Sequence, residues 1–321
     1  MRLSRKLHED VTEGLRGIFI LRNVGRAGKK LCGHNEFFVA VMEKVEMNTK
    51  NLFVALSAAA LLSTVTGAVE AAGTVNVNGS TTVLPAMQLV AEGFMQAHPD
   101  VTVTISGTGS GNGIKALRDA MTDVAMASRD LKSKEAEDFK NHGIETVRFT
   151  VAHDAIIPVV NPQNNVKGLT MAQLKDVFAG TIRNWKELGG ADAPIVVIGR
   201  DSSSGTFECF QELVMGKTRV SARALVQASS GGVVQAVAQN PNAIGYIGVG
   251  YMDAQTQAVT MNGVTPGMDS ARDKTWPIAR DLYLFTAGAP KGDAAALIDF
   301  MLSDEGQKNV LKAGFVPVSG K

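Results

Sequence analysis

The sequence predicts an α/β fold with mostly parallel sheets, and three observations carry that expectation. Short β-branched runs alternate with amphipathic helical patterns from Gly73 onward. At 321 residues the chain is long enough to bury one large or two modest cores. Hydrophobic residues make up 45% and charged residues 20%, which suits a soluble globular protein better than a disordered or membrane-embedded one.

The first segment stands outside that alternation. Leu52 to Val69, LFVALSAAALLSTVTGAV, carries no charge and follows a short start, Met47-Asn48-Thr49-Lys50-Asn51. It ends in small residues, with Thr66-Gly67-Ala68 or Val69-Glu70-Ala71 as an A-x-A-like cleavage site. This is the anatomy of a secretory signal peptide. Its Ala, Ser, Thr and Gly content argues against a permanent membrane span. We therefore expect Met47 to be the initiator, residues 1–46 to be upstream sequence translated from an earlier start, and 47–71 to be a cleaved signal peptide. The mature chain is expected in the periplasm as a soluble monomer. Cys209 is the lone cysteine of that mature chain, so no internal disulfide is expected. Among Phe207, Phe210 and Leu213 it reads as a core residue. The whole chain carries +1, and removal of residues 1–71 leaves −2. Neither value attracts nucleic acid or an anionic membrane, so any bound anion needs a local site.

Beyond Gly73 the strands are expected at Thr74–Val77, Val101–Ile105, Ala155–Val160, Ile195–Ile198, Ala243–Ile247 and Leu282–Thr286. Helices are expected at Pro85–Ala97, Gly113–Met121, Ser133–Asn141, Met171–Ala179, Thr206–Met215, Val233–Asn240 and Ala294–Leu302. The turn-rich Asn161-Pro162-Gln163-Asn164-Asn165 interrupts this series after an apolar strand.

Three glycine- and hydroxyl-rich turns each follow a strand and open a helix. In Gly79-Ser80-Thr81-Thr82-Val83-Leu84-Pro85, the proline suits a first helical turn, where its missing N–H costs nothing. Ser80, Thr81 and Thr82 then lie at a helix N-terminus, which carries about half a positive charge and unpaired N–H groups. Gly107-Thr108-Gly109-Ser110-Gly111-Asn112-Gly113 lets the backbone approach a ligand closely. It has Asn112 where a dinucleotide fingerprint needs glycine, and it lacks the Gly-Lys-Ser/Thr of a P-loop. Arg200-Asp201-Ser202-Ser203-Ser204-Gly205-Thr206 adds a guanidinium, whose planar fork fits a tetrahedral oxyanion. Each turn alone could be simple helix capping. Together they supply donors almost exclusively, which points to a small oxyanion.

Enzymatic chemistry finds no support in the sequence. The five histidines form no metal-ligand spacing, and Ser204 lies in Ser-Ser-Gly rather than a nucleophile elbow. No cofactor or metal is expected.

These motifs, together with ASRDL at 127–131, LTMAQLKDVFAGTIRNWKELGG at 169–190 and NPNAIGYIGVGY at 240–251, resemble the phosphate-binding proteins of bacterial ABC importers, the PstS family. The resemblance runs from about Gly73 to Lys321. It implies a two-lobed periplasmic-binding-protein (flytrap) fold that is not an enzyme. It implies lobe one at 73–154 and 255–321, lobe two at 155–254, and phosphate held between them for an ABC permease. The implied phosphate ligands are Ser80, Thr81, Thr82, Ser110, Ser128, Arg200, Ser204, Gly205 and Thr206. Asp201 or Ser202 is implied to orient Arg200. Some relatives place an aspartate directly after the equivalent of Ser128, where it accepts the proton of hydrogen phosphate. Here that position is Arg129, expected to donate to phosphate instead, and Asp154 is the substitute acceptor. Sulfate, molybdate and tungstate share the tetrahedral geometry, and a sensor or surface protein could use the same fold.

Overall fold

The computed structural model describes residues 73–318. The expected signal peptide and the segment 1–46 lie outside the described residues.

The chain runs β1 (Gly73–Gly79), α1 (Leu84–Ala97), β2 (Val101–Gly107), α2 (Ser110–Arg118), β3 (Val124–Ala127) and α3 (Ser133–Asn141). The long strand β4 (Thr146–Val160) follows, then β5 (Gly168–Leu169), α4 (Met171–Ala179), β6 (Val196–Arg200) and α5 (Gly205–Phe210). After α5 come β7 (Leu225–Gln227), α6 (Ser230–Ala238), β8 (Ala243–Gly248), β9 (Gln257–Ala258) and β10 (Thr260–Met261). The chain closes with α7 (Met268–Arg272), β11 (Ala279–Ala287), α8 (Gly292–Leu302) and α9 (Asp304–Lys312).

The main sheet has the order β2-β1-β3-β11-β4-β8-β6-β7, with β9 also on β4. Its two halves meet on β4. Residues Thr146–Ala155 of that strand pair with β11, whereas Ile156–Val160 pair with β8. The changeover thus falls between Ala155 and Ile156, inside the strand. Outer pairs are parallel, β1 with β2 and β3, and β6 with β7 and β8. The central strands β11 and β4 run antiparallel to their neighbours, so the sheet is mixed.

Alternation explains β1, which lies between β2 and β3. Val75 and Val77 of β1 point inward between exposed Thr74 and half-buried Asn78. The C-terminal part of β4, Ala155–Val160, and all of β8 are buried on both faces, and their sequences read as continuous apolar runs. Apolar packing on the second half centres on Phe210 and Tyr246, stacked with centroids 4.1 Å apart, and Phe178 tilted against both. Trp185 and Trp276 are buried and each donates its indole N–H to a backbone carbonyl, of Asn242 and Ile156 respectively.

Two helices begin earlier than the sequence suggests. The expected starts at Gly113 and Val233 become Ser110 and Ser230, because both glycine-rich segments are already helical. That shift places two more serine hydroxyls at the first helical position. Strand β4 begins at Thr146 rather than Ala155, since Arg148, His153 and Asp154 break the apolar pattern without breaking the strand.

Candidate anion-binding site

The loops that follow β1, β2, β3, β6 and β7 bring their hydroxyls into one buried cluster. Thr82 Oγ1 lies 2.8 Å from Thr206 Oγ1, joining the first half of the sheet to the second. Ser230 Oγ lies 3.4 Å from both Thr81 Oγ1 and Thr82 Oγ1. Ser110 Oγ and Ser128 Oγ are 3.4 Å apart, and Ser110 also accepts from the Ser128 amide at 3.1 Å. Gly205 closes the ring. A side chain there would strike the hydroxyls of Ser110 and Ser128, so glycine is required for the approach.

Local chemistry sets each loop. Ser80 Oγ accepts from the Thr82 amide at 3.1 Å and so turns the chain into α1. Gly109, at φ 102°, adopts a conformation other residues avoid, and the Gly79 carbonyl accepts from the Thr108 and Gly109 amides at 2.9 and 2.8 Å. Ser204 caps α5 by accepting from the Phe207 amide at 3.2 Å. The Gly111 amide donates to the Ser203 carbonyl at 2.9 Å, tying the second loop to the third across the two halves.

Arg200 supplies the positive charge, and its side chain is 2% exposed. Its Nε donates to the Gln227 carbonyl at 3.0 Å and its Nη2 to the Ala228 carbonyl at 3.2 Å. Nη1 donates to Ser230 Oγ and Nη2 to Thr81 Oγ1, each at 3.2 Å. The carbonyls aim the fork, and the two hydroxyls are neutral acceptors that an anion can replace. Burial pulls the Arg200 guanidinium below the usual arginine range, with Asp201 acting the other way.

Asp201 Oδ2 stands 3.9 Å from Arg200 Nη2. Its Oδ1 accepts from the amide and hydroxyl of Ser203, so Asp201 shapes the loop beside the guanidinium. Ser202 is exposed and makes no side-chain hydrogen bond among the described residues.

Asp154 is fully buried and engaged on both oxygens. Arg280 Nε and Nη2 reach Oδ2 at 2.8 and 2.7 Å, and the Val249 amide donates to Oδ1 at 2.9 Å. Arg280 also donates to the Ser128 carbonyl at 3.2 Å and to Thr82 Oγ1 at 3.4 Å, so a second guanidinium borders the cluster. Tyr251 donates its hydroxyl to the Thr81 carbonyl; burial pushes that phenol up to about 12, so it remains a donor at neutral pH.

Arg129 departs from expectation. Its Nη1 and Nη2 donate to Glu135 at 2.7 and 2.8 Å, its Nη1 also to the Asp130 carbonyl at 2.8 Å, and its Nε to Glu208. The guanidinium is spent on two carboxylates and joins none of the site hydroxyls. Burial works to lower it, and Glu135 and Glu208 more than offset that, leaving it raised. Cys209 is half-buried and packs against the hydrophobic core, with its thiol on the Ser128 carbonyl at 3.5 Å.

The profile of the PBP superfamily domain matches residues 64–305. The phosphate-binding protein PstS of Pseudomonas aeruginosa is 31% identical over 266 residues, spanning 76% of this chain and 82% of the relative. This chain belongs to the PstS family. The PstS of Bacillus subtilis is 30% identical over 79% of this chain and 83% of its own. The crystal structure, with bound phosphate, of a Clostridium perfringens protein assigned as a phosphate ABC transporter substrate-binding protein superposes with a TM-score of 0.72 at 37% identity. It covers 77% of this chain and 100% of that one. A phosphate transport receptor of the ABC type from Vibrio cholerae matches with a TM-score of 0.62 at 32% identity, covering 75% and 99%. The fold of this PstS-family chain is therefore the α/β fold of periplasmic phosphate-binding proteins. Such chains are substrate-binding proteins and not enzymes.

Three residues of this PstS-family site escaped the sequence analysis. Ser230 had a signal, because Ser229-Ser230-Gly231-Gly232 repeats the hydroxyl-glycine pattern of the other loops. Arg280 had none, since its partner lies 126 residues away in the chain, and Tyr251 closes the NPNAIGYIGVGY motif without any sign there of its partner, 170 residues away.

Proposed function

We propose that this chain captures inorganic phosphate between its two lobes, outside the cytoplasm, and delivers it to the permease of an ABC importer. The observation that carries the reading is the convergence of buried hydroxyls at four helix starts on the buried guanidinium of Arg200. Helix N-termini and a planar cation together suit a tetrahedral dianion.

The lobes are 73–154 with the chain from β11 onward, and 155–254 with β9 and β10, which fall in the 255–321 expected for the first lobe but pair with β4 at Val159–Val160 and with β5. Phosphate is bound by Ser80, Thr81, Thr82, Ser110, Ser128, Arg200, Ser204, Gly205 and Thr206, joined by Ser230. Asp154 takes the acid proton of hydrogen phosphate. A carboxylate has about four acceptor positions, and Arg280 and Val249 occupy three of them here, which leaves one for a single O–H. Export to the periplasm follows the signal peptide at 47–71. Recovery of peptides from 1–46 in the natural secreted protein would overturn that start.

Calorimetric titration of the mature chain with phosphate, sulfate, molybdate and tungstate tests the assignment. Phosphate is expected to bind at least tenfold more tightly than sulfate, because fully ionised sulfate leaves Asp154 without a proton to accept. Equal or tighter binding of sulfate, molybdate or tungstate would sink it.

A further inference from the structure

Behind the hydroxyl cluster lies a second connection between the two halves of the sheet, and it is ionic. The loop after β3 carries Arg129 and Lys132, on the first half. Both donate to Glu208, which stands on α5, on the second half. Glu135, in the first turn of α3, holds the other edge of the Arg129 guanidinium and accepts from the Lys132 amide at 2.9 Å. Arg129 and Glu208 side chains are only 7% and 13% exposed, so their pair is shielded from bulk solvent.

The position of Glu208 matters more than its charge. Its amide donates to the Ser204 carbonyl at 3.1 Å, one helical turn from the loop that carries Ser204, Gly205 and Thr206. A restraint on Glu208 is therefore a restraint on the anion loop. Arg129, Lys132 and Glu208 line a cleft of about 620 Å³ that also touches Cys209, Arg280 and Tyr283. None of them contributes a hydroxyl or amide to the anion cluster.

We infer that Arg129, Lys132 and Glu208 form a latch that holds the two halves together after the anion is captured and so sets its residence time. Glu135 orients Arg129 for that contact, which is why the arginine following Ser128 serves the closed state and not the anion. The latch rests on the phosphate-binding reading above, but its chemistry is indifferent to which tetrahedral anion is held. Because the charges meet only when the halves are together, the latch acts on escape rather than on encounter.

Stopped-flow phosphate binding with wild type, Glu208→Gln, Lys132→Gln and the double variant tests this. Glu208→Gln is expected to raise the dissociation rate about tenfold with the association rate within twofold. Lys132→Gln, on an exposed side chain, should raise it about threefold. The double variant should dissociate no faster than Glu208→Gln alone, since both changes break one connection. Thermal unfolding of the ligand-free proteins should agree, because a merely structural defect in α5 would lower the melting of the two Glu208 variants and slow their association. A dissociation rate for Glu208→Gln within twofold of wild type, or strictly multiplicative effects in the double variant, overturns the latch. Failure of wild type to bind phosphate overturns the phosphate assignment instead, and the same rates are then read with whichever tetrahedral anion does bind.

Discussion

Replacement of Arg200 by alanine separates binding from folding in this site. The guanidinium is buried, and its fork is aimed by the carbonyls of Gln227 and Ala228. Removing a desolvated, hydrogen-bonded charge from a binding contact costs about 2–5 kcal/mol, which corresponds to a Kd about 30- to 5,000-fold weaker. Stability should move far less. The lost hydrogen bonds contribute about 0.5–1.5 kcal/mol each, but alanine also removes a buried charge whose desolvation costs several kcal/mol. These effects oppose one another, so ligand-free Arg200→Ala should stay folded, within about 2 kcal/mol of wild type. Phosphate at 100 times the wild-type Kd stabilises wild type by about 2.7 kcal/mol. At the same concentration it should stabilise the variant by less than about 1 kcal/mol, given a loss of 30-fold or more. Arg200→Lys, which keeps the charge but not the fork, should fall between the two. Titration calorimetry gives the Kd and thermal unfolding with and without phosphate gives the rest. A folded Arg200→Ala protein with a Kd within threefold of wild type would falsify the placement of this residue in the site.

Two further substitutions probe the geometry around Arg200. Gly205→Ala puts a methyl group against the hydroxyls of Ser110 and Ser128 across the two halves; overpacking of about 1–3 kcal/mol should weaken phosphate about 5- to 150-fold. Ligand-free stability should hardly change, because the halves can part, and wild-type affinity by calorimetry would show that the approach is looser than described. Asp154→Asn leaves Arg280 buried without its anionic partner, which should lower the ligand-free unfolding free energy by about 3–5 kcal/mol. Bound sulfate should restore much of that loss, narrowing the gap between the two anions. Unchanged melting together with unchanged anion preference would make Asp154 a spectator.

The local chemistry of the site was legible because it is written in contiguous residues. Capping hydroxyls, glycines that allow close approach and a proline at a first helical turn act within a few positions of one another. Hence Ser80–Thr82, Ser110 and Ser204–Thr206 could be singled out before any chain path was known. The same logic extended to Ser230, but Gly231 and Gly232 disguised the start of α6, since glycine is a poor helix former that tertiary packing overrides. Helix and strand existence followed hydrophobic periodicity, as the double-sided burial of β8 and the alternation of β1 illustrate.

What only the tertiary structure decided is which distant charges meet. Arg129 stands next to Ser128 in sequence, yet Glu135 and Glu208 draw it away from the hydroxyls, because a carboxylate is a stronger partner for a guanidinium than a neutral hydroxyl is. Arg280 lies in an ordinary strand and reaches the site because β11 pairs with β4 in the register that sets it opposite Asp154. Sequence alone determines the donors a loop can present, since those depend on adjacent residues. The partners of long charged side chains depend on strand order and register, which arise from burial summed over the whole sheet.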